Sequence, residues 1–87
     1  MEIEYDPAKD IANLAKHGLS LADAARFDFD TALVVIDLRF DYGETRYRAF
    51  DRIDGKGFCL AFTIIGSTLR AISLRPSREK EMRRHGR

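Results

Sequence analysis

Along this chain the apolar positions first recur at helical spacing, and from residue 33 onward they switch to continuous and alternating runs. The opening "EIEY" (2–5) alternates as a short strand would. Asp6 is a good helix N-cap and Pro7 fits the first helical position, while Gly18 is a stop, so the spacing predicts a helix over Pro7–His17. Ile11, Leu14 and Ala15 share one side of that helix, and Lys9, Asn13 and Lys16 share the opposite side. Ser20, with Asp23 three residues on in a capping-box arrangement, predicts a second short helix that turns Leu21, Ala24 and Ala25 to the core. "RFDFDTA" breaks the pattern and reads as a loop, whose Phe27 and Phe29 either pack over the core or form an exposed patch.

The rest reads as strands. "LVVIDL" (33–38) is β-branched and nearly continuous, "RFDYGE" is a turn around Gly43, and "TRYRAFDRI" (45–53) is a long charged strand. "DGKG" (54–57) is a hairpin turn leading into the most apolar strand, "FCLAFTII" (58–65). Phe58, Leu60, Phe62 and Ile64 form its core side. A tight turn at 66–67 leads to "TLRAISLR" (68–75), which Pro76 ends. Ser77 then caps a last helix running to about His85. Short hairpins make such strands antiparallel neighbours. The predicted fold is therefore α+β: two N-terminal helices, a four-stranded antiparallel meander and a C-terminal helix. The helices pack on one face and leave the other open to a ligand.

Length and composition narrow the reading. The 87 residues make a single domain, 1–87, and an apolar fraction of 45% argues against a disordered chain. "MEIEYDPAK" lacks the basic region and apolar run of a signal peptide, and "FCLAFTII" is too short to cross a membrane as a helix. A lone cysteine, Cys59, makes no internal disulfide, so a reducing cytoplasm is the expected setting. The net charge of +1 hides an asymmetry. Residues 68–87 carry seven Lys or Arg against two Glu, a net of +5, and residues 1–67 carry a net of −4. Such a basic tail fits RNA, DNA or an acidic protein, or else a solvated terminal helix.

No CxxC pair, HExxH motif, ligand-spaced His/Asp/Glu cluster or Gly-rich phosphate loop is present, so no metal or cofactor is expected. Chemistry on a phosphodiester would then need cations beside one or two proton carriers. Arg75 ends the last strand with small neighbours, so its guanidinium can reach a phosphate or pair with Glu44 or another carboxylate. By strand alternation Arg70 lies on the other side, with Ile72 and Leu74. Arg46, Arg48 and Arg52 share one side with Phe50, which suits either single-stranded RNA or a charge-protected edge strand. Lys16 and His17 sit in the last turn of the first helix, where the helix dipole alone explains a cation. Lys9 in the first turn goes against that dipole. His17 is either an acid–base group or a packed cap residue. His85 and Glu81, four apart, share a helix face, so Glu81 can orient His85.

The run "YDPAKDIANLAKHGLS" (5–20) resembles the opening signature of the BrnT toxins: Asp-Pro-x-Lys, then Asn, then Lys-His-Gly. The similarity continues at "GETRY" (43–47), at "RAISLR" (70–75), and at Glu81 and Arg83, and so covers essentially the whole chain. The resemblance implies a RelE-like fold and a metal-independent endoribonuclease that stops translation. It also implies a BrnA-type antitoxin partner that wraps the toxin and carries a DNA-binding domain, as a toxin–antitoxin heterotetramer or with a toxin homodimer. In its light Lys9, His17, Glu44, Arg46 and Arg75 are the catalytic candidates, and Lys16, Arg70, Arg78 and His85 the RNA-binding ones. Ile65 stands where the family often has Arg, and His85 where it often has Tyr. The lost Arg makes a non-catalytic RNA- or protein-binding module of the same fold the alternative reading.

Overall fold

The computed structural model describes residues 1–86; Arg87 of the basic tail lies outside the described residues. The first helix, α1, spans Pro7–His17 as its start and stop signals require. The Asp6 carboxylate accepts from the Ala8 N–H at 2.9 Å. Gly18 closes the helix in the left-handed conformation (φ 70°), donating its N–H to Leu14 O at 2.8 Å.

The strands are β1 (Glu2–Glu4), β2 (Leu33–Ile36), β3 (Tyr47–Ile53), β4 (Lys56–Ile65) and β5 (Thr68–Pro76). They form one five-stranded sheet in the order β1-β5-β4-β3-β2. β2 to β5 are the expected antiparallel meander. The expected count of four strands is corrected by β1, which pairs parallel with β5, Glu2–Glu4 against Thr68–Arg70. Pairing there covers the first third of an edge that the meander would leave bare. Asp54 and Gly55 both have positive φ (53° and 81°), the geometry of a two-residue hairpin whose twist matches the flanking strands. β4 consequently starts at Lys56, two residues earlier than expected.

The second N-terminal helix is instead a 3-10 segment, Leu21–Arg26. Three residues per turn bring Leu21, Ala24 and Phe27 into line, and these are the buried ones, while Ala25 faces out. Its start is held by Asp10, which accepts from the Leu21 N–H and the Ser20 hydroxyl. Leu21, Ala24 and Phe27 seal one sheet face, packing on Ala49, Leu60, Phe62, Leu69, Ala71 and Leu74. Phe29 joins them, with its ring stacked on Phe27 and edge-on to Phe62.

The last helix, α2, is Glu79–Arg84, with Arg78 at its cap position and no side-chain cap bond. Ser77 does not cap it: its N–H extends the sheet pairing to Gly57 O, and its hydroxyl bonds Glu81. Nor do the helices share one face. α2 lies on the second face, where Met82 packs with Phe50 and Cys59. The face expected to be open is thus partly roofed.

The helix α1 lies along the outer edge of β5 rather than flat on a face. That inverts its expected orientation: Ile11 is 69% exposed and Leu14 is exposed, whereas Asn13 is 6% exposed. A strand edge presents backbone N–H and C=O groups, and an amide side chain can satisfy both.

Candidate nucleic-acid interface

The second face is built by strand register. Phe50, Cys59 and Arg75 lie side by side across β3, β4 and β5, as do Arg48, Ala61 and Ser73 in the next row. β5 carries a bulge: Ala61 pairs with Ser73 but Phe62 pairs with Ala71, so Ile72 is skipped. The bulge overturns the expectation that Arg70 and Arg75 point to opposite sides. Leu69, Ala71 and Leu74 go to the core, and Arg70, Ser73 and Arg75 share the second face. Ala61 and Ser73 are small, so they make a floor between Arg48 and Arg75.

Arg75 is anchored by α2. Its two terminal nitrogens donate to the two Glu81 oxygens at 2.8 and 2.9 Å, and Ser77 Oγ donates to Glu81 Oε1 at 2.6 Å. The Arg75 hydrogen bonds outweigh burial and hold the Glu81 carboxyl down at about 2. The same bonds push the Arg75 guanidinium up. Burial pushes the Cys59 thiol up, against the pull of Arg75. Arg48 differs from Arg75. Its Nε is buried with no hydrogen-bond partner, its guanidinium carbon is 5.5 Å from the Phe50 ring centroid, and no ion pair holds it among the described residues.

Two troughs lie between α1 and this face. One, about 360 Å³, is lined by Lys9, Ala12, Asn13, Lys16, His17, Ser73 and Arg75. The other, about 240 Å³, is lined by Asp6, Lys9, Glu44, Arg46 and the Arg70–Ile72 bulge. Lys9 belongs to both. Arg46 is placed by the loop over 37–46. Asp37, buried at the end of β2, accepts from the Arg39 backbone N–H and from the Arg39 guanidinium at two atoms, and from the Tyr42 hydroxyl. These bonds, the Arg39 side chain first, hold its carboxyl well below the usual range despite burial. Tyr42 then supports the Arg46 guanidinium, 4.2 Å from its ring centroid, and Glu44 accepts from Arg46 Nε at 3.0 Å. Arg70 pairs with Glu4 at 3.0 Å.

The expected residues therefore fall into connected groups. Lys9, Glu44, Arg46 and Arg70 line one trough, and Lys9, Lys16, His17 and Arg75 the next. Arg78 meets Arg75 in a third hollow, described below. His85 stands apart from both α1 troughs, stacked on Phe50 with ring centroids 4.0 Å apart. Glu81 does not orient its imidazole, because both Glu81 oxygens are taken by Arg75 and Ser77. Sequence reasoning passed over Arg48 and Asp37. Arg48 was visible only as one member of a charged row, and Asp37 as a single carboxylate ending an apolar strand.

A family model described as "Ribonuclease toxin, BrnT, of type II toxin-antitoxin system" matches residues 5–81. The chain belongs to the BrnT family. The crystal structure of the Brucella abortus ribonuclease toxin BrnT is similar, with 31% identity and a TM-score of 0.71 over 91% of this chain and 99% of that one. No curated protein sequence matches this chain. In this BrnT-family chain the matched stretch includes every candidate residue except His85. No helix among the described residues is long and apolar enough to cross a membrane.

Proposed function

We propose that this chain is the RNA-cleaving toxin of a type II toxin–antitoxin pair, acting as one RelE-like domain in the cytoplasm to stop translation. In this reading a BrnA-type antitoxin neutralises it. The observation that carries the proposal is the small floor of Ala61 and Ser73, flanked by Arg48 on one side and Arg75 on the other. Adjacent strands are about 4.8 Å apart, so the row from Arg48 to Ser73 spans roughly 10 Å of backbone, and Arg75 lies two residues further along β5. A phosphate there would give Arg48 the counter-charge that no carboxylate among the described residues supplies.

In the proposed reaction the ribose 2′-oxygen attacks the adjacent phosphorus as its proton passes to a base. The bond from phosphorus to the 5′-oxygen breaks, and that oxygen takes a proton from an acid. The ends are a 2′,3′-cyclic phosphate and a 5′-hydroxyl. Arg48 and Arg75 stabilise the crowded phosphoryl oxygens. Lys9 and His17, beside Arg75 in the same trough, are the candidate proton carriers. Arg46, Arg70 and Lys16 hold the flanking backbone, and Glu44 keeps Arg46 in place. Glu81 fixes Arg75, so its role is positioning. His85, whose ring covers Phe50, is left to contact the flanking RNA.

The alternative, a module that binds without cutting, rests on Ile65 in place of an Arg. Ile65 pairs with Thr68, six residues along β4 from the Cys59–Arg75 row, roughly 20 Å away. An Arg there would not reach the Arg75 row, so its loss leaves the proposed centre complete. Antitoxin-free protein with labelled RNA in excess chelator decides between the readings. Cyclic phosphate ends support cleavage, and binding by intact protein without cleavage supports the module. Cleavage at full rate by a folded Arg75→Ala protein would remove Arg75 from the mechanism.

A further inference from the structure

We infer that the outer side of α2 is a second backbone-binding subsite for single-stranded RNA, continuous with the Arg75 centre; the inference rests on the ribonuclease reading. By sequence the two glutamates of "SREKEMRR" (77–84) balance half of its cations. The structure removes that balance. Glu79 is taken by Arg52 through two bonds of 2.8 and 2.6 Å, and Glu81 by Arg75. Both acids are thus neutralised by strand arginines, and among the described residues Arg78, Lys80 and Arg84 have no carboxylate partner. These three cations line one hollow of about 440 Å³ together with Arg75, Pro76 and Glu81. Arg75 also lines the α1 trough, so the two hollows share one residue.

A chain of cations on either side of one anchored arginine matches a ligand with regularly repeated negative charge, an RNA backbone passing over Arg75. An acidic protein segment is the competing occupant. The hollow is lined by five charged residues and Pro76, and its continuity with the Arg75 centre favours the substrate strand. Cleavage would then depend on single-stranded RNA extending past the cut bond over α2, and the subsite would favour longer substrates.

The test separates this inference from catalysis by using 2′-O-methyl oligouridylates, which cannot be cut through the 2′-oxygen. Affinity of the full chain for four- and twelve-nucleotide strands is read by fluorescence anisotropy across a salt series. The comparison is with an R78Q/K80Q/R84Q variant, and with R78K/R84K as a charge-preserving control. The expected result is that the wild-type gain from four to twelve nucleotides falls about tenfold in the glutamine variant. The slope of log affinity against log salt for the longer strand drops by about 2, three contacts at roughly 0.7 each. The lysine control keeps both. Equal gain and slope in the glutamine variant would overturn the subsite. Competition by a twelve-residue polyglutamate as strong as by the oligonucleotide would overturn its assignment to RNA. A wild-type chain that shows the length gain but cuts no RNA would sink the ribonuclease reading and leave the subsite standing.

Discussion

Asn13 closes the outer edge of β5 by bonding both backbone groups of Leu74. Its Oδ1 accepts from the Leu74 N–H at 3.0 Å, and its Nδ2 donates to Leu74 O at 2.9 Å and to Leu19 O at 2.8 Å. β1 pairs the first part of that edge and ends at Glu4, so one amide side chain continues the work of a strand. Removing it takes the side-chain partner from three backbone groups. Asn13→Ala is expected to lose about 2–4 kcal/mol in urea denaturation. Asn13→Asp, of the same shape, should lose at least as much at pH 7, because its carboxylate faces two carbonyls. A loss under half a kcal/mol in both would show that the edge is not held this way.

Gly57 leaves the space that Met82 fills. A Cβ at Gly57 would lie 2.5 Å from Met82 Cγ and 3.1 Å from Ser77 O. Gly57→Ala should therefore destabilise by about 1–3 kcal/mol and loosen α2, read as faster amide exchange over 79–84. Met82→Ala relieves the clash at the expense of packing. In the double variant the two losses should sum to less than the single values predict. Strict additivity would mean that Gly57 and Met82 do not meet.

Arg48 and Phe50 predict a separation of stability from activity. Arg48 Nε has no partner, so Arg48→Met removes a buried unsatisfied group and keeps an apolar stem over Phe50. Stability should stay within about 0.5 kcal/mol or rise. RNA cleavage should fall about a hundredfold, the scale of losing one preorganised donor to a developing oxyanion. Full activity in this variant would place Arg48 outside the centre.

Acid should loosen α2. Glu81 is lowered on folding from an ordinary 4.5 to about 2, so its stabilisation is complete above pH 4.5 and is lost as pH falls towards 2. After allowance for solvent screening, the contribution is of order 1–2 kcal/mol. The stability gap between wild type and Glu81→Gln should be open at pH 6 and shrink to about a quarter of that at pH 2.5. An unchanged gap would mean that the Arg75–Glu81 pair is not what acid breaks.

Much of this was legible locally. Asp6, Pro7 and Gly18 determine α1 because caps and stops act within one helical turn. Asp54–Gly55 determines a hairpin because two positive φ values suffice. Burial in "FCLAFTII" follows from alternation, as seen at Leu60 and Phe62. The candidate cations Lys9, Lys16, Arg46, Arg70 and Arg75 were all identifiable by residue type. Their grouping was not.

The sequence by itself determined the start and stop of α1, the meander, the basic tail and the BrnT signature, since each rests on near neighbours along the chain. Only the tertiary structure decided the rest. Ile72 bulges out of β5, a shift of one residue that moves Arg70 onto the face of Arg75 and that alternation alone cannot show. Asn13 turns inward and Ile11 outward because α1 meets a strand edge, where hydrogen-bonding groups rather than apolar surface need a partner. Glu79 is drawn to Arg52 across the fold and Glu81 to Arg75 at the end of β5, which leaves Arg78, Lys80 and Arg84 without a carboxylate partner among the described residues. Charge along a chain is additive, but its neutralisation depends on which side chains the fold brings within 3 Å.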